Sequence, residues 1–138
     1  MAVSYLKLAG KNYPLSFSLG ASKRIAQKYG SINKIEEKLT FEELTEETID
    51  VITDLVELLI NQGCAYKNVF EKNLPAEKDA PIVDGKYIPL SREEIEIVIG
   101  FDDFDNIIEA IMRCVNSSAK TEIEVETGKN SEAPEEMS

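Results

Sequence analysis

The chain has 138 residues, 43% hydrophobic and 7% aromatic, which is enough for one domain with its own core and too apolar for disorder throughout. Fifteen Lys and Arg face twenty-six Asp and Glu, a formal net charge of -11. A field of that sign repels a phosphate backbone, so direct nucleic-acid binding is not expected and a neutral or basic protein partner fits better.

The N-terminus alternates like a strand. Val3, Tyr5 and Lys7 share one face and Leu6 and Leu8 the other. Ala9-Gly10-Lys11-Asn12 supplies turn chemistry, and a second extended run carries Tyr13, Leu15 and Phe17 on one face, so residues 3–18 read as a β-hairpin. Pro14 cannot donate to a ladder and marks an edge or a late strand start. A helical stripe of Leu19, Ile25, Ala26 and Tyr29 follows, with Gly30 as its stop. Ser31 can cap a short helix carrying Ile32, Ile35 and Leu39, and Thr40 with Glu43 has capping-box spacing.

The longest periodic stretch runs from about Glu46 to Lys72, with Thr45 opening its acidic first turn. At 100° per residue, Asp50, Asp54, Glu57, Asn61, Asn68, Glu71 and Lys72 form a polar arc of roughly 100° and apolar residues fill most of the rest. A surface helix needs an apolar stripe of only about 100°. Either this helix is central, with elements packed on both sides, or part of the arc is an oligomer or client surface. The candidate surface residues are Val51, Leu55, Leu58, Tyr66 and Val69, and Gly63 is expected to kink or end the helix.

Residues 73–90 read as a polar connector with Pro75, Pro81 and Pro89 and a tight turn at Asp84-Gly85. Ser91 with Glu94 gives a second capping box for a helix striped by Ile95, Val98 and Ile99 and ended by Gly100. Asp102 is expected to cap a last helix bearing Phe104, Ile107, Ile108, Ile111 and Val115. Residues 119–138 hold six Glu and almost no large apolar side chains, and read as a disordered acidic tail. The expected fold is α+β: a mainly helical bundle of about five helices with an N-terminal hairpin, one domain over 1–118.

Chemistry-bearing patterns are weak. There is no His, which removes the commonest general base and metal ligand. Cys64 and Cys114 lie far apart in apolar helical patterns and read as reduced core thiols. Asp102, Asp103, Asp105 and Glu109 lack the Gly and Glu positions of a calcium loop and fit helix capping better. Ser22 and Lys23 are adjacent on a helix and point apart, so they form no dyad. Asn116-Ser117-Ser118 matches a glycosylation sequon that a cytosolic chain never presents for modification. No catalytic residue, cofactor site or metal site is expected. The first residues hold no basic segment followed by an apolar run, and no stretch approaches the ~18 apolar residues of a membrane span, so neither a signal peptide nor a membrane anchor is expected and a cytoplasmic location is.

Leu6-Lys7-Leu8-Ala9-Gly10-Lys11-Asn12-Tyr13-Pro14-Leu15 resembles the strand, Gly-Lys-x-Tyr-x-Leu, strand opening of siphophage tail assembly chaperones from Gram-positive hosts. Phe17-Ser18-Leu19-Gly20 through Gln27-Lys28-Tyr29-Gly30 is similar to that family's first helix with its aromatic-Gly end, and Ser91-Arg92-Glu93-Glu94-Ile95 and Asp102-Asp103-Phe104 are similar to its later helix entries. The resemblance implies a helper outside the mature virion, in the bacterial host cytoplasm, that keeps the tape measure protein soluble and helps recruit tail tube subunits. It also implies a long form made by frameshifting near the 3′ end, which Gly128-Lys129-Asn130 permits if encoded GGA-AAA-AAC. Self-association is compatible with this role. The alternative from another class is an acidic phage-encoded inhibitor or DNA mimic.

Overall fold

A computed structural model of the chain describes residues 3–39 and 44–130, with backbone alone for Ile32, Glu36 and residues 118–130. Among these residues it forms an N-terminal hairpin, β1 (Ser4–Leu8) and β2 (Lys11–Leu15), then helices α1 (Leu19–Tyr29), α2 (Ile32–Leu39) and α3 (Glu46–Phe70). A short hairpin, β3 (Ile82–Val83) and β4 (Lys86–Tyr87), precedes α4 (Arg92–Val98), a 3₁₀ turn (Phe101–Asp103) and α5 (Phe104–Asn130). The α+β class, the five helices and the opening hairpin are those read from the sequence. The capping-box pair Thr40 and Glu43, and residues 131–138 of the expected tail, lie outside the described residues.

The hairpin register follows from its turn. Ala9 and Gly10 both take positive φ, 51° and 77°, the geometry of a two-residue turn whose twist matches the strands. Leu8 then faces Lys11, Leu6 faces Tyr13, and Tyr5 faces Pro14. Counting outward from the turn, Pro14 falls at a pair that exchanges no ladder bonds, so its missing N–H lies on the outer edge of β2. Leu6, Leu8, Tyr13 and Leu15 are buried on the face toward the helices.

That outer edge lies against α3. Ser16 N–H donates to the Leu59 carbonyl at 3.1 Å, and the Pro14 carbonyl sits beside Gly63. A Cβ on Gly63 would lie 2.1 Å from Pro14 O and 2.9 Å from Leu15 N. The glycine therefore neither kinks nor ends the helix, as its sequence context led one to expect: α3 continues to Phe70, and the bare Cα is the place where a strand touches helix backbone.

Around α3 the other elements close a single core. Thr45 caps it by accepting from Thr48 N–H at 3.2 Å, and Glu46 and Glu47 occupy its positive first turn. Val51, Ile52, Leu55, Val56, Leu59, Ile60 and Cys64 are all buried along it. Ala21 and Ile25 of α1, Ile35 and Leu39 of α2, Ile95 of α4, and Ile107, Ile111, Cys114 and Val115 of α5 complete the core. The stripe on α1 differs from the sequence reading: Ala21 and Ile25 are buried, whereas Leu19 is 85% exposed and Ala26 is exposed. Ser18 caps α1 through Ala21 N–H and Gly30 ends it at φ 94°. The capping box of Ser91 and Glu94 is formed as read. At the last helix Asp103, not Asp102, bonds the backbone, accepting from Gly100 N–H at 2.9 Å.

The connector at 73–90 is more structured than its composition implies. Asp84 and Gly85, with φ 52° and 79°, form the tight turn of β3 and β4. The Asn68 side chain grips β4, accepting from Tyr87 N–H at 2.8 Å and donating to Tyr87 O at 3.0 Å. Asn12 holds the other end, its N–H donating to Asp79 O and its side chain to Lys78 O. On α5, Val115 is the last described buried side chain, and the helical backbone carries on to Asn130, into the segment expected as a tail. Among the described residues no helix is long and apolar enough to cross a membrane.

Gly63→Ala tests the close approach. Alanine stabilises a helix interior by about 1 kcal/mol relative to glycine, but the clash with strand backbone works against it, and overpacking costs about 1–3 kcal/mol or more. The expected outcome is a net loss of about 2 kcal/mol, read as a lower melting temperature by circular dichroism; a higher one would contradict the contact.

Candidate protein-interaction site

Three surfaces stand out, and α3 runs through all of them. The first is a charged hub at Asp54. Its carboxylate accepts from the Lys28 ammonium, from Tyr29 OH at 2.6 Å and from the Arg92 guanidinium. Arg92 also reaches Asp50 at 3.1 Å and Glu96 at 3.6 Å. One carboxylate thus joins α1, α3 and α4, although the helical wheel places it on the polar arc. Burial alone would raise its pKa, but the hydrogen bonds from Lys28, Tyr29 and Arg92 outweigh that and hold the carboxyl below the usual range. Burial and the bond to Asp54 push the Tyr29 phenol up, so it stays protonated. The hub opens into a cleft of about 880 Å³ lined with both signs of charge, including Lys34, Lys38, Glu46 and Glu47.

The second surface is an apolar groove of about 330 Å³ between α3, α4 and the start of α5. Ile52, Ile95 and Phe104 form its buried floor, half-buried Ile49 and Ile99 its sides, and Phe101 a lip that is 74% exposed. Phe101 and Phe104 meet edge to face with centroids 6.0 Å apart, which fixes the lip over the floor. Gly100 turns the chain from α4 into this lip.

The third lies at the C-terminal end of α3. On the side of α3 turned away from the hairpin, Tyr66 and Phe70 pack together with centroids 5.4 Å apart. Val69, Phe70 and Leu74 are 60%, 73% and 60% exposed. The side of the helix facing the hairpin is closed: Lys67 is buried and pairs with Glu71 at 2.8 Å, its ammonium 5.4 Å from the Tyr5 ring centre.

The five residues nominated from the wheel divide on this framework. Val51 and Leu55 are 3% and 1% exposed and belong to the core, not to a surface; α2 and α4 cover the side of the helix that periodicity alone left open. Leu58 and Tyr66 are half-buried, and Val69 is exposed. Of the groove residues, Ile99 is read from sequence only as part of a helix stripe, and Phe101 carries no sequence reading. Its signal was an aromatic side chain at an exposed helix entry between Gly100 and Asp102.

The remaining chemical candidates stay apart. Asp102, Asp105 and Glu109 are exposed, and among the described residues no group of three His, Cys, Asp or Glu is placed to hold a metal. Cys64 and Cys114 are buried and unpaired, and burial pushes their thiols up to about 12 and about 11, so both are protonated at neutral pH. Comparison with protein-family models, with curated proteins and with solved structures gives no match.

Asp54→Asn should lower stability at pH 7 by about 1–2 kcal/mol, because Lys28 and Arg92 are partly solvated and their pairing is screened. A carboxyl whose folded pKa is depressed stabilises above its unfolded pKa of about 3.9, and that contribution is lost as pH falls through the folded value. The gap between wild type and variant in thermal melts should therefore close as pH drops from about 5 to about 2. A gap independent of pH would mean the ion pairs contribute nothing.

Proposed function

We propose that the chain is a non-enzymatic phage tail assembly chaperone that binds the tape measure protein and tail tube subunits during tail morphogenesis and is absent from the mature virion. The observation that carries this reading is the surplus of apolar surface on an acidic domain: Phe101 over its groove, and Tyr66, Val69 and Phe70 at the end of α3. Exposed apolar patches rimmed by charge are the ordinary form of a protein-binding surface. A tape measure protein is a long helix with apolar faces, and a groove between helices can take one face of such a helix. The net charge of -11 keeps the assembly dispersed while apolar segments are covered. No nucleic acid or membrane takes part in this reading, and self-association is compatible with it.

One observation favours the acidic-inhibitor alternative, the density of carboxylates along α4 and the Phe101 turn. Exposed Ile97 and Phe101 break that surface with apolar side chains, which suits a protein client better than a phosphate mimic.

Co-expression with the tape measure protein of the same genome should move that protein from the pellet to the soluble fraction and yield a complex on size exclusion. An insoluble tape measure protein and no complex would refute the chaperone reading.

A further inference from the structure

We propose that the groove between α3, α4 and the Phe101 turn is the client site, and that its occupant is an amphipathic helix whose apolar face is flanked by Lys and Arg. The inference rests on the chaperone reading and names the part of the surface and the chemistry of the client. Shape supplies the first argument. The groove, about 330 Å³, lies within the range of about 300–1,000 Å³ of clefts that accept ligands. Ile49, Ile52, Ile99 and Phe104 give it a mainly apolar lining, and the exposed Phe101 ring, held edge to face by Phe104, stands at its edge where it can pack against an incoming side chain.

Charge supplies the second and selects the occupant. Every charged residue of α4 and the Phe101 turn other than Arg92 is a carboxylate, and Glu96 lines the groove itself. Arg92 is already engaged by Asp54, Asp50 and Glu96, so it offers no free cation to an acidic ligand. A helix with acidic flanks meets repulsion along this rim, and one with Lys and Arg flanks meets attraction over short distances. A second copy of this chain is disfavoured on the same ground, since each rim is acidic and a symmetric pairing would oppose like charges.

The test uses the full chain and fluorescent synthetic helices of about 20 residues with leucines at i, i+3, i+4 and i+7, one flanked by Lys, one by Glu, and one with the Lys peptide's composition scrambled. Anisotropy should show binding of the Lys-flanked helix at least tenfold tighter than the other two, weakening about threefold or more between about 50 and about 200 mM salt. Phe101→Asp should weaken it tenfold or more with an unchanged melting curve, and the paired change Asp102→Lys with Asp105→Lys should weaken it and abolish the preference over the Glu-flanked helix. Val83→Asp, an exposed apolar position on β3, should leave binding as it is. Equal binding of the three peptides overturns the inference, as does binding that survives Phe101→Asp. Loss with Phe70→Asp instead moves the site to the end of α3 and overturns it too. A protein that runs as a dimer and becomes monomeric with Phe101→Asp assigns the groove to a second copy and likewise overturns it. Tape measure solubilisation that persists in Phe101→Asp sinks this site while the chaperone reading stands; solubilisation absent from the wild type sinks the reading itself.

Discussion

The contact of β2 with the backbone of α3 at Gly63 is the constraint on which the rest of the arrangement depends. Packed layers usually meet through side chains, as stacked sheets do at about 10 Å. Here the Pro14 carbonyl takes the space of a missing Cβ, and Ser16 N–H donates to the Leu59 carbonyl one turn earlier. A hairpin alone is marginal in water. Seated at this depth it becomes a wall of the core, with Leu6, Leu8, Tyr13 and Leu15 directed inward. α5 then packs across β1 as well as α3, and the bundle closes.

The Asp54 hub works on the opposite side of α3 and for a different reason. Apolar packing places helices without fixing their rotation closely, since aliphatic surfaces tolerate sliding. A carboxylate that accepts from three donors on two other helices is directional. It ties α4 to α3, two of the helices that line the apolar groove. The charged cleft and the apolar groove adjoin at α4, where Arg92 belongs to the hub and its ion-pair partner Glu96 lines the groove.

Much of the fold was legible because it is written in local chemistry. Ser91 with Glu94, Thr45 before two glutamates, Gly30 at a helix end and Ala9-Gly10 between alternating runs each have a backbone requirement that few residues meet. What could not be read is where distant segments meet. Asp54 and Asn68 fall in one polar arc on a wheel, yet Asp54 joins α1 and α4 and Asn68 holds β4. The wheel likewise found too much apolar surface on α3 but could not tell which part is covered, so Val51 and Leu55 were grouped with Val69. Gly63 shows the same limit: a glycine within a helical pattern reads as a weak point until the strand that needs it is in place. The groove was least visible, because its nine lining residues come from α3, α4, the Phe101 turn and the start of α5, and no element contributes more than three.

The two asparagine clamps bear on how this fold can vary in length. Asn12 holds the backbone at Lys78 and Asp79, and Asn68 holds it at Tyr87. Both grips are made to main-chain atoms, so they are indifferent to the side chains they seize. The stretch from Asn73 to Glu77 before the first grip, and the Asp84-Gly85 turn before the second, lie outside the core cluster. Residues can be gained or lost between Asn73 and Ala76 at the modest entropic cost of a longer surface loop, about 0.6 kcal/mol per doubling, whereas the Asp84-Gly85 turn fixes the β3–β4 register and Glu77 is tied to Lys67 and Tyr87. A change of length before Glu77 therefore leaves both clamps, and with them the entry to α4 and the groove, where they are.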